Sequence, residues 1–218
     1  MKRQIIIGDV HGCFEELKEL LDKVKFNSSE DELIFLGDLI NKGPDSVKVL
    51  EFVKKGNHRS ILGNHELGFL KAQEGGKYRS GGNLKLIEQL GAHLDEYVQW
   101  MKELPLYIEE ESFIAIHGGL EPDVELEKQR PEIATRIRYW DGVGEDMNND
   151  SHSPWFEYYE GEKLVIFGHW AALGLVVREN VIGLDTGCVW GGDLSALILP
   201  AGEIVSVSAK RMYKDPLA

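Results

Sequence analysis

The chain has 218 residues, a formal net charge of −13 and a pI of about 5.0. Hydrophobic residues make up 43% of it and charged residues 28%, as expected of one globular domain over residues 1–218. The acidic charge argues against duplex nucleic acid as a partner, because such binding needs a basic face, but a small anionic substrate is compatible with it where bound metal ions reverse the local field.

The N-terminal segment predicts neither a membrane span nor a secretion signal. Its apolar run at 5–7 is too short for either, and Asp9 follows it closely. We therefore expect a cytoplasmic protein without a membrane partner, while the sequence indicates no oligomeric state. In that compartment Cys13 and Cys188 are expected to be reduced, and Cys188 to be a buried structural thiol.

The first part of the chain alternates short apolar strands with amphipathic helices. Strands are predicted at 5–7, 32–36 and 60–62, each of them a short apolar run. The spacing of apolar residues predicts helices at 14–24 and 45–54. This β-α-β-α-β order predicts an α/β core with parallel strands joined by right-handed crossovers.

The rest of the chain predicts a second group of strands. Residues 66–105 have a helical pattern with a cluster of glycines, which we interpret as a small helical cap with a mobile loop. The acidic stretch at about 121–155 is interpreted as an insertion. Further strands are predicted at 113–116, 164–167, 181–184, 194–199 and 204–208. The expected architecture is α/β, with two packed sheets flanked by helices.

Five predicted strands end in a glycine and in side chains that bind metals. These side chains are Asp9 and His11 after the first strand, Asp38 after the second, Asn64 and His65 after the third, and His117 and His169 after two later strands. Ligands of open α/β sheets bind at the carboxyl ends of strands, so we expect these residues on one rim. The mixture of carboxylates and imidazoles suits manganese, iron or zinc better than calcium. The glycines allow a close approach of backbone and metal.

Each of these residues, taken alone, has an ordinary structural explanation. An aspartate at a strand end usually forms a turn or caps a helix. A lone histidine is usually exposed or satisfied in the fold, and we keep that interpretation for His58, His93 and His152. Separate caps do not require a strand-glycine-ligand pattern repeated at five strands, and the repetition therefore favours a metal site.

The segments GDVHG, GDLINKG, GNHE, HGG and GHW, in this order, resemble the metallophosphoesterases of the phosphoprotein phosphatase class. The resemblance covers residues 5–199. Two later stretches, PWFEYYEGEKLVIFGHWAALG and GLDTGCVWGG, are most similar to the symmetrical diadenosine tetraphosphate hydrolases and related phosphatases. The resemblance implies a calcineurin-like α/β fold, a two-sheet sandwich flanked by helices with a small helical cap.

The resemblance also implies two divalent metal ions, with manganese the first expectation and iron, zinc, cobalt and magnesium the alternatives. Six residues would bind them: Asp9 and His11 the first metal, Asp38 both metals, and Asn64, His117 and His169 the second. His65 would be the general acid on the leaving group. A hydroxide that bridges the metals would attack phosphorus in line, so that no covalent phosphoenzyme is needed.

Most relatives carry Asp-Arg where this chain has Asn41 and Lys42. In them the aspartate orients the acid histidine and stabilises its protonated form. Asn41 can accept a hydrogen bond from His65 through its oxygen but offers no charge, and Lys42 offers a point charge in place of a bidentate fork. A weaker acid favours a leaving group that needs little protonation, so we expect nucleotide anhydrides rather than phosphoserine esters; neutral drift at Asn41 is the alternative.

The expected function is therefore a two-metal hydrolase that splits dinucleoside tetraphosphates symmetrically into two nucleoside diphosphates. A serine/threonine protein phosphatase or a broad phosphomonoesterase is the alternative, in which case a phosphoprotein would be the partner. A nucleotide-binding sensor that has lost catalysis is a third interpretation, which the complete ligand set disfavours.

Further candidates for substrate binding lie in the second half of the chain. Arg136 and Arg138 are spaced to share one strand face, where they would contact phosphate or solvent. Trp155, Phe156 and Tyr158 would either stack on adenine or pack in the core.

Overall fold

Two five-stranded sheets form the centre of the protein in the computed structural model, which describes residues 2–75 and 81–215. The strands are β1 (Arg3–Ile7), β2 (Asp31–Phe35), β3 (Arg59–Ser60), β4 (Tyr107–Glu109), β5 (Phe113–Ile116), β6 (Tyr139–Trp140), β7 (Ser153–Pro154), β8 (Leu164–Phe167), β9 (Val176–Val177), β10 (Val181–Gly183), β11 (Asp193–Leu199) and β12 (Glu203–Ser208). The helices are α1 (Phe14–Lys23), α2 (Ser46–Lys55), α3 (Asn64–Gln73), α4 (Gly81–Leu90), α5 (Leu94–Lys102) and α6 (Pro131–Ala134).

Each sheet combines three adjacent parallel strands with two strands in antiparallel pairings. The first has the order β12-β11-β1-β2-β3, in which β1, β2 and β3 are parallel and β11 runs against β1. The second has the order β4-β5-β8-β10-β9, with β5, β8 and β10 parallel. The predicted two-sheet α/β architecture is confirmed. Parallel strands of both sheets end at the same rim, where the candidate metal ligands lie.

The side chains of β1 alternate between two cores. Ile5 and Ile7 are buried against the helices outside the first sheet, in the same cluster as Leu17 of α1. Ile6 faces the second sheet and joins the cluster that contains Phe113. Burial of each isoleucine contributes about 1.5–3 kcal/mol, and a slip of one residue would expose both faces to the wrong surroundings. The register of β1 is thereby fixed, and with it the position at which Asp9 leaves the strand.

Most predicted strands agree with the structure, and the third one differs for an identifiable reason. The strands predicted at 113–116 and 164–167 have those bounds in the structure. The strand predicted at 60–62 is Arg59–Ser60 instead. Ile61 still donates its backbone N–H to Phe35, but Leu62 donates to Pro105, outside the sheet.

Three helices, α3 to α5, occupy the region predicted as a helical cap. Leu86, Leu90 and Met101 from these helices belong to the core on the helical face of the first sheet. Part of the predicted mobile loop, residues 76–80, lies outside the described residues. The single domain with a cap and an insertion remains our prediction. No helix in the described ranges is long and apolar enough to cross a membrane.

Candidate metal centre

Asp38 lies between two groups of metal-ligating side chains. Its Oδ2 is 3.3 Å from Nε2 of His11, and its Oδ1 is 3.4 Å from Nε2 of His117. The candidate ligand atoms form two sets, and within each set all atoms lie within 4.8 Å of one another. One set comes from His11, Asp38 and His65, and the other from Asp38, His117 and His169. Asp38 is only 1% exposed, and its two oxygens face different groups, so two adjacent cations could share this carboxylate.

Asn64 and Asp9 complete the group that was predicted from the strand ends. Asn64 Oδ1 lies 3.0 Å from Nε2 of His117 and 2.9 Å from Nδ1 of His169. Asp9 Oδ2 is 4.0 Å from Nε2 of His11, and both Asp9 oxygens accept the backbone N–H of His169 at 3.1 Å. All six residues predicted as metal ligands are therefore brought to one place.

The remaining ring nitrogens of the histidines are held by backbone carbonyl groups. His11 Nδ1 lies 2.9 Å from the oxygen of Ile40, and His117 Nδ1 lies 2.6 Å from the oxygen of Leu36. Donation from Nδ1 leaves the lone pair of neutral His11 on Nε2, which faces Asp38. Burial works against the charged form of His117, but the Asp38 and Asp9 carboxylates raise the pKa of His117 to about 10, so that a metal ion would replace the proton on its Nε2. The bond from His117 to Leu36 also joins the second sheet to the first at the rim.

Backbone conformations at the site are strained. Among the described residues, eight that are not glycine have positive φ, and five of them line the site: His11 (45°), Asp38 (50°), Asn41 (67°), Lys42 (65°) and His169 (64°). Each such conformation is uncommon for a residue with a Cβ and costs about 1–3 kcal/mol. The surrounding fold stabilises these loops in a geometry that their residues do not prefer.

Two glycines beside the candidate ligands leave no room for a side chain. A Cβ at Gly63 would collide with the backbone nitrogen and Oδ1 of Asp38, and a Cβ at Gly168 would collide with Oδ1 of Asp9. The glycines therefore let the backbone pack directly against these carboxylates. That they also allow a close approach of backbone and metal stays a prediction.

His65 contacts Asn41 and faces Asp38. Asn41 Nδ2 lies 3.2 Å from Nδ1 of His65, while Nε2 of His65 lies 3.9 Å from Oδ2 of Asp38. Burial is the main influence on the imidazole and lowers the pKa of His65 to about 4. A histidine in these surroundings is hard to protonate.

Lys42 lies between His11 and an aromatic ring that the sequence analysis overlooked. Its Nζ is 2.8 Å from Nε2 of His11 and 4.7 Å from the centre of the Trp190 ring. Burial and then the Lys42 charge lower the pKa of His11 well below its usual value. His11 is thus kept neutral, which is the form that binds a metal.

The fold, the ligand set and the sequence order can now be compared with known proteins. A family model described as calcineurin-like phosphoesterase matches residues 2–173. The chain belongs to the calcineurin-like phosphoesterase family.

Curated relatives and a solved structure agree with this assignment. The symmetrical bis(5'-nucleosyl)-tetraphosphatase of Vibrio parahaemolyticus is 32% identical, over 88% of this chain and 93% of the relative. The protein of the same name from Ralstonia nicotianae is 33% identical, over 97% and 95%. A crystal structure described provisionally as a diadenosine tetraphosphatase is 34% identical, covers 95% of this chain and 94% of its own, and has a TM-score of 0.84.

The donor set fits the binuclear metal site typical of calcineurin-like phosphoesterases. Carboxylate and amide oxygens with imidazole nitrogens suit divalent ions of the first transition row. Burial, and then the neighbouring Asp185, raise the pKa of Asp9 well above its usual value. Such a concentration of buried carboxylates is costly without compensating charge, and divalent cations would supply it.

Two further carboxylates of this phosphoesterase were not predicted as site residues. Glu66 is fully buried and accepts backbone N–H groups from Asp38 at 2.8 Å, Leu39 at 2.9 Å and Gly63 at 3.1 Å. Burial and then Asp38 raise the pKa of Glu66 to about 7. The available signal was a glutamate three positions after Gly63 at a helix start, as in a capping box.

Asp185 is the second overlooked carboxylate. It follows β10, is 6% exposed, and accepts the backbone N–H of Gly187 at 3.1 Å. A carboxylate after a strand is the same signal that identified Asp9 and Asp38, and the sequence analysis did not apply it to LDTG. Asp185 lies on the same cavity as the candidate ligands.

The two arginines border the site but are not on a strand. Arg136 and Arg138 precede β6, so the prediction that they share a strand face is wrong. A tight turn after α6 places them instead. Both line a cavity of about 310 Å³ together with Asp9, Asp38 and Lys42. Nη2 of Arg136 lies 3.5 Å from the backbone oxygen of Asn64, and Nη2 of Arg138 lies 3.5 Å from the backbone oxygen of His169.

The aromatic residues proposed for base stacking lie elsewhere. Trp155 and Phe156 are buried in the outer core of the second sheet, where both rings pack against Phe167. Tyr158 is 48% exposed and borders a different cavity, which Trp155 also lines. Of the alternatives, core packing applies to Trp155 and Phe156. Trp190, by contrast, lines the phosphoesterase cavity.

Proposed function

We propose that this phosphoesterase hydrolyses dinucleoside tetraphosphates symmetrically, to two nucleoside diphosphates, with the help of two divalent metal ions. The observation that carries the proposal is the pair of ligand groups that share Asp38 beside a cavity with three cationic side chains. Relatives named as symmetrical tetraphosphatases, similar over almost the whole chain, support the substrate class.

Each side chain of the centre has a role in this proposal. Asp9 and His11 would hold the first ion, Asp38 would be shared by both, and Asn64, His117 and His169 would hold the second. The ions, of which manganese is our first expectation, would supply a nucleophile at neutral pH and offset charge on the phosphoryl group. Glu66 keeps Asp38 in place through the backbone N–H groups that it accepts.

The cationic side chains around the cavity suit a chain of phosphates. Lys42, Arg136 and Arg138 all line it, and a substrate with four linked phosphates carries several negative charges for them to bind. Trp190 lies at the same cavity and offers an aromatic surface beside Lys42. We assign phosphate binding to the three cations.

His65 is assigned as the proton donor, and the leaving group decides how much it contributes. Phosphate leaving from an anhydride has a relevant pKa of about 6, while a serine alkoxide is far more basic. A histidine that is hard to protonate carries little of the proton-donating form at neutral pH, which matters little for an anhydride. His65 and Asn41 therefore favour anhydrides over phosphomonoesters.

A substrate panel tests this function. Turnover should be measured on a dinucleoside tetraphosphate, a nucleoside triphosphate, an aryl phosphate and a phosphoserine peptide, each with manganese, cobalt, magnesium and zinc, with products identified. We expect the dinucleotide to be preferred and to give only nucleoside diphosphate. A preference for the aryl phosphate or the peptide would favour a phosphomonoesterase, and unequal products would contradict symmetrical cleavage.

The contribution of His65 provides a second test. General acid catalysis contributes about 10²–10⁴-fold where the leaving group needs a proton. His65→Ala should therefore reduce turnover of the aryl ester much more than turnover of the dinucleotide. Equal losses on both substrates would contradict the anhydride argument. His93→Ala, at an exposed histidine of the cap, is the control and should change neither.

A further inference from the structure

A third group of metal-ligating side chains lies outside the centre that Asp38 organises. It consists of Cys13, Glu16 and Cys188, which are 0%, 0% and 2% exposed. One ligand atom from each lies within 4.8 Å of the others. Both cysteines are free thiols. None of the three has a role in the proposed hydrolysis.

The group is assembled from two distant parts of the chain. Cys13 is the N-cap residue of α1, and Glu16 lies in the first turn of that helix. Cys188 begins a short 3-10 turn that ends at Trp190. The N-terminus of a ten-residue helix thereby holds two of the three ligands, and the third comes from the segment after β10.

Glu16 is a buried carboxylate whose charge is only partly satisfied. One oxygen, Oε1, accepts the backbone N–H of Lys210 at 3.0 Å and the hydroxyl of Tyr213 at 2.7 Å. The other, Oε2, is buried and has no hydrogen-bond partner among the described residues. No ion pair joins Glu16 to a basic side chain within that part of the chain. A buried carboxylate without a counter-charge is costly, and a cation at this position would offset the cost.

We propose that Cys13, Glu16 and Cys188 bind a borderline or soft metal ion, of which Zn²⁺ is the best match, at a site separate from the His/Asp centre. Two sulfurs and one oxygen are ligands that Zn²⁺ accepts. On binding, the two thiols release their protons to solvent and both sulfurs bond to the metal. The two positive charges of the ion then oppose the three negative charges of the thiolates and the Glu16 carboxylate, and Glu16 Oε2 gains the partner that it lacks.

The position of this site gives it a structural purpose. Cys13 is separated from His11 by one residue, Gly12, and Cys188 is followed closely by Trp190, which contacts Lys42. An ion that joins the two cysteines would tie together two loops that border the catalytic cavity. Because metal binding is coupled to folding, it would also stabilise the contact between α1 and the segment after β10.

Cobalt substitution can distinguish this site from the His/Asp centre. The full chain should be produced in cobalt-supplemented medium, so that a buried site is filled during folding, and its near-ultraviolet absorption measured. Only thiolate-bound cobalt gives a sulfur-to-metal charge-transfer band, and the His/Asp centre contains no sulfur ligand. We expect the band in the wild-type protein and in Asp38→Asn, which alters the other centre alone.

Variants at the three ligands complete the experiment. Cys13→Ser and Cys188→Ser should each lose the band, and Glu16→Gln should shift or weaken it, with folding checked by circular dichroism. If a serine variant does not fold, the wild-type band and its persistence in Asp38→Asn decide the matter. Three results would overturn the proposal. The first is a wild-type protein that shows no band although both thiols react after unfolding. The others are a Cys13–Cys188 disulfide and a band that survives in both serine variants. These readouts do not depend on hydrolysis, so they stand whether or not the substrate assignment holds.

Discussion

Asn41 Nδ2 lies 3.2 Å from Nδ1 of His65. The sequence analysis expected this contact but through the amide oxygen. In the structure the amide nitrogen takes that place, and the same Nδ2 also donates to Oδ1 of Asn83, on α4, at 3.0 Å. Oδ1 of Asn41 is buried and has no hydrogen-bond partner among the described residues. His65 Nδ1 therefore accepts, and the proton of the neutral ring lies on Nε2, which faces Asp38 and the cavity.

Substitution of Asn41 by aspartate should shift substrate preference. A carboxylate beside His65 favours the protonated ring, so Asn41→Asp should raise turnover of an aryl ester relative to the dinucleotide. The measurement is the ratio of the two turnover rates across a range of pH, in wild type and variant. Asn57→Asp, at an exposed asparagine, is the matched control. An unchanged ratio would show that residue 41 does not govern the acid.

The contact between Asn41 and Asn83 predicts that the cap influences proton donation. Asn83→Ala removes the acceptor that holds Asn41 Nδ2 toward His65 Nδ1, so that the amide can offer its oxygen to a protonated ring instead. One neutral hydrogen bond is worth about 1 kcal/mol, which corresponds to roughly a five-fold gain of ester turnover. Asn83→Asp keeps an acceptor and should stay closer to wild type. We expect dinucleotide turnover to change less in both variants. If alanine and aspartate reduce the two activities alike, Asn83 has only a structural role.

Asp38 should be the costliest single carboxylate to replace. Asp38→Asn should reduce turnover by at least about 100-fold, the upper range for loss of a residue that merely supports a metal ligand. Metal content should fall while circular dichroism stays unchanged. Asp22→Asn removes the same charge from an exposed position on α1 and should be neutral. Near-normal turnover of Asp38→Asn would refute the shared-ligand assignment.

A pair at the opposite end of the first sheet predicts a pH-dependent stability. Arg3 donates to both oxygens of Asp31, Nε at 2.8 Å and Nη2 at 2.6 Å, and this interaction lowers the pKa of Asp31. The stabilisation is fully present above the unfolded value of about 3.9 and is lost as pH falls through the folded value. Because Arg3 is 38% exposed, we expect Arg3→Gln to cost only about 1 kcal/mol at pH 7.

Denaturant unfolding of wild type and Arg3→Gln from pH 7 to pH 2.5 would measure the difference in their free energy of unfolding. This difference should shrink steadily below about pH 4. Lys55→Gln, which removes an exposed pair with Glu51 on α2, should cost less at every pH. A difference for Arg3→Gln that persists undiminished at low pH would mean that its cost does not come from the charge of Asp31.

The strand ends were predictable because two simple rules act together. Short apolar runs identify the strands, and right-handed crossovers bring their carboxyl ends to one rim, where Asp9, Asp38 and His117 indeed lie close together. Neither rule needs side-chain packing. The sequence therefore predicted the two sheets and the grouping of the six candidate ligands.

Other features depend on contacts that no local pattern encodes. The partners of Glu66 include the backbone of Asp38 and Leu39, which reach it only once β2 and α3 are adjacent. Strand β9 has two residues and exists only through its pairing with β10. The cap residue Asn83 lies on a helix whose apolar pattern says nothing about what its polar face contacts. These features become visible only in the assembled tertiary structure.

The place of β1 in its sheet has a consequence for synthesis of the protein on the ribosome. One edge of β1 pairs with β2, which is made soon afterwards, but the other pairs with β11, and Gly8 donates its N–H to Ser195. A nascent chain that has not yet reached β11 holds Asp9 and His11 just after a strand with one open edge. Such an edge recruits other strands, so slow translation of the second half exposes this chain to misassembly at the segment that carries its first metal ligands.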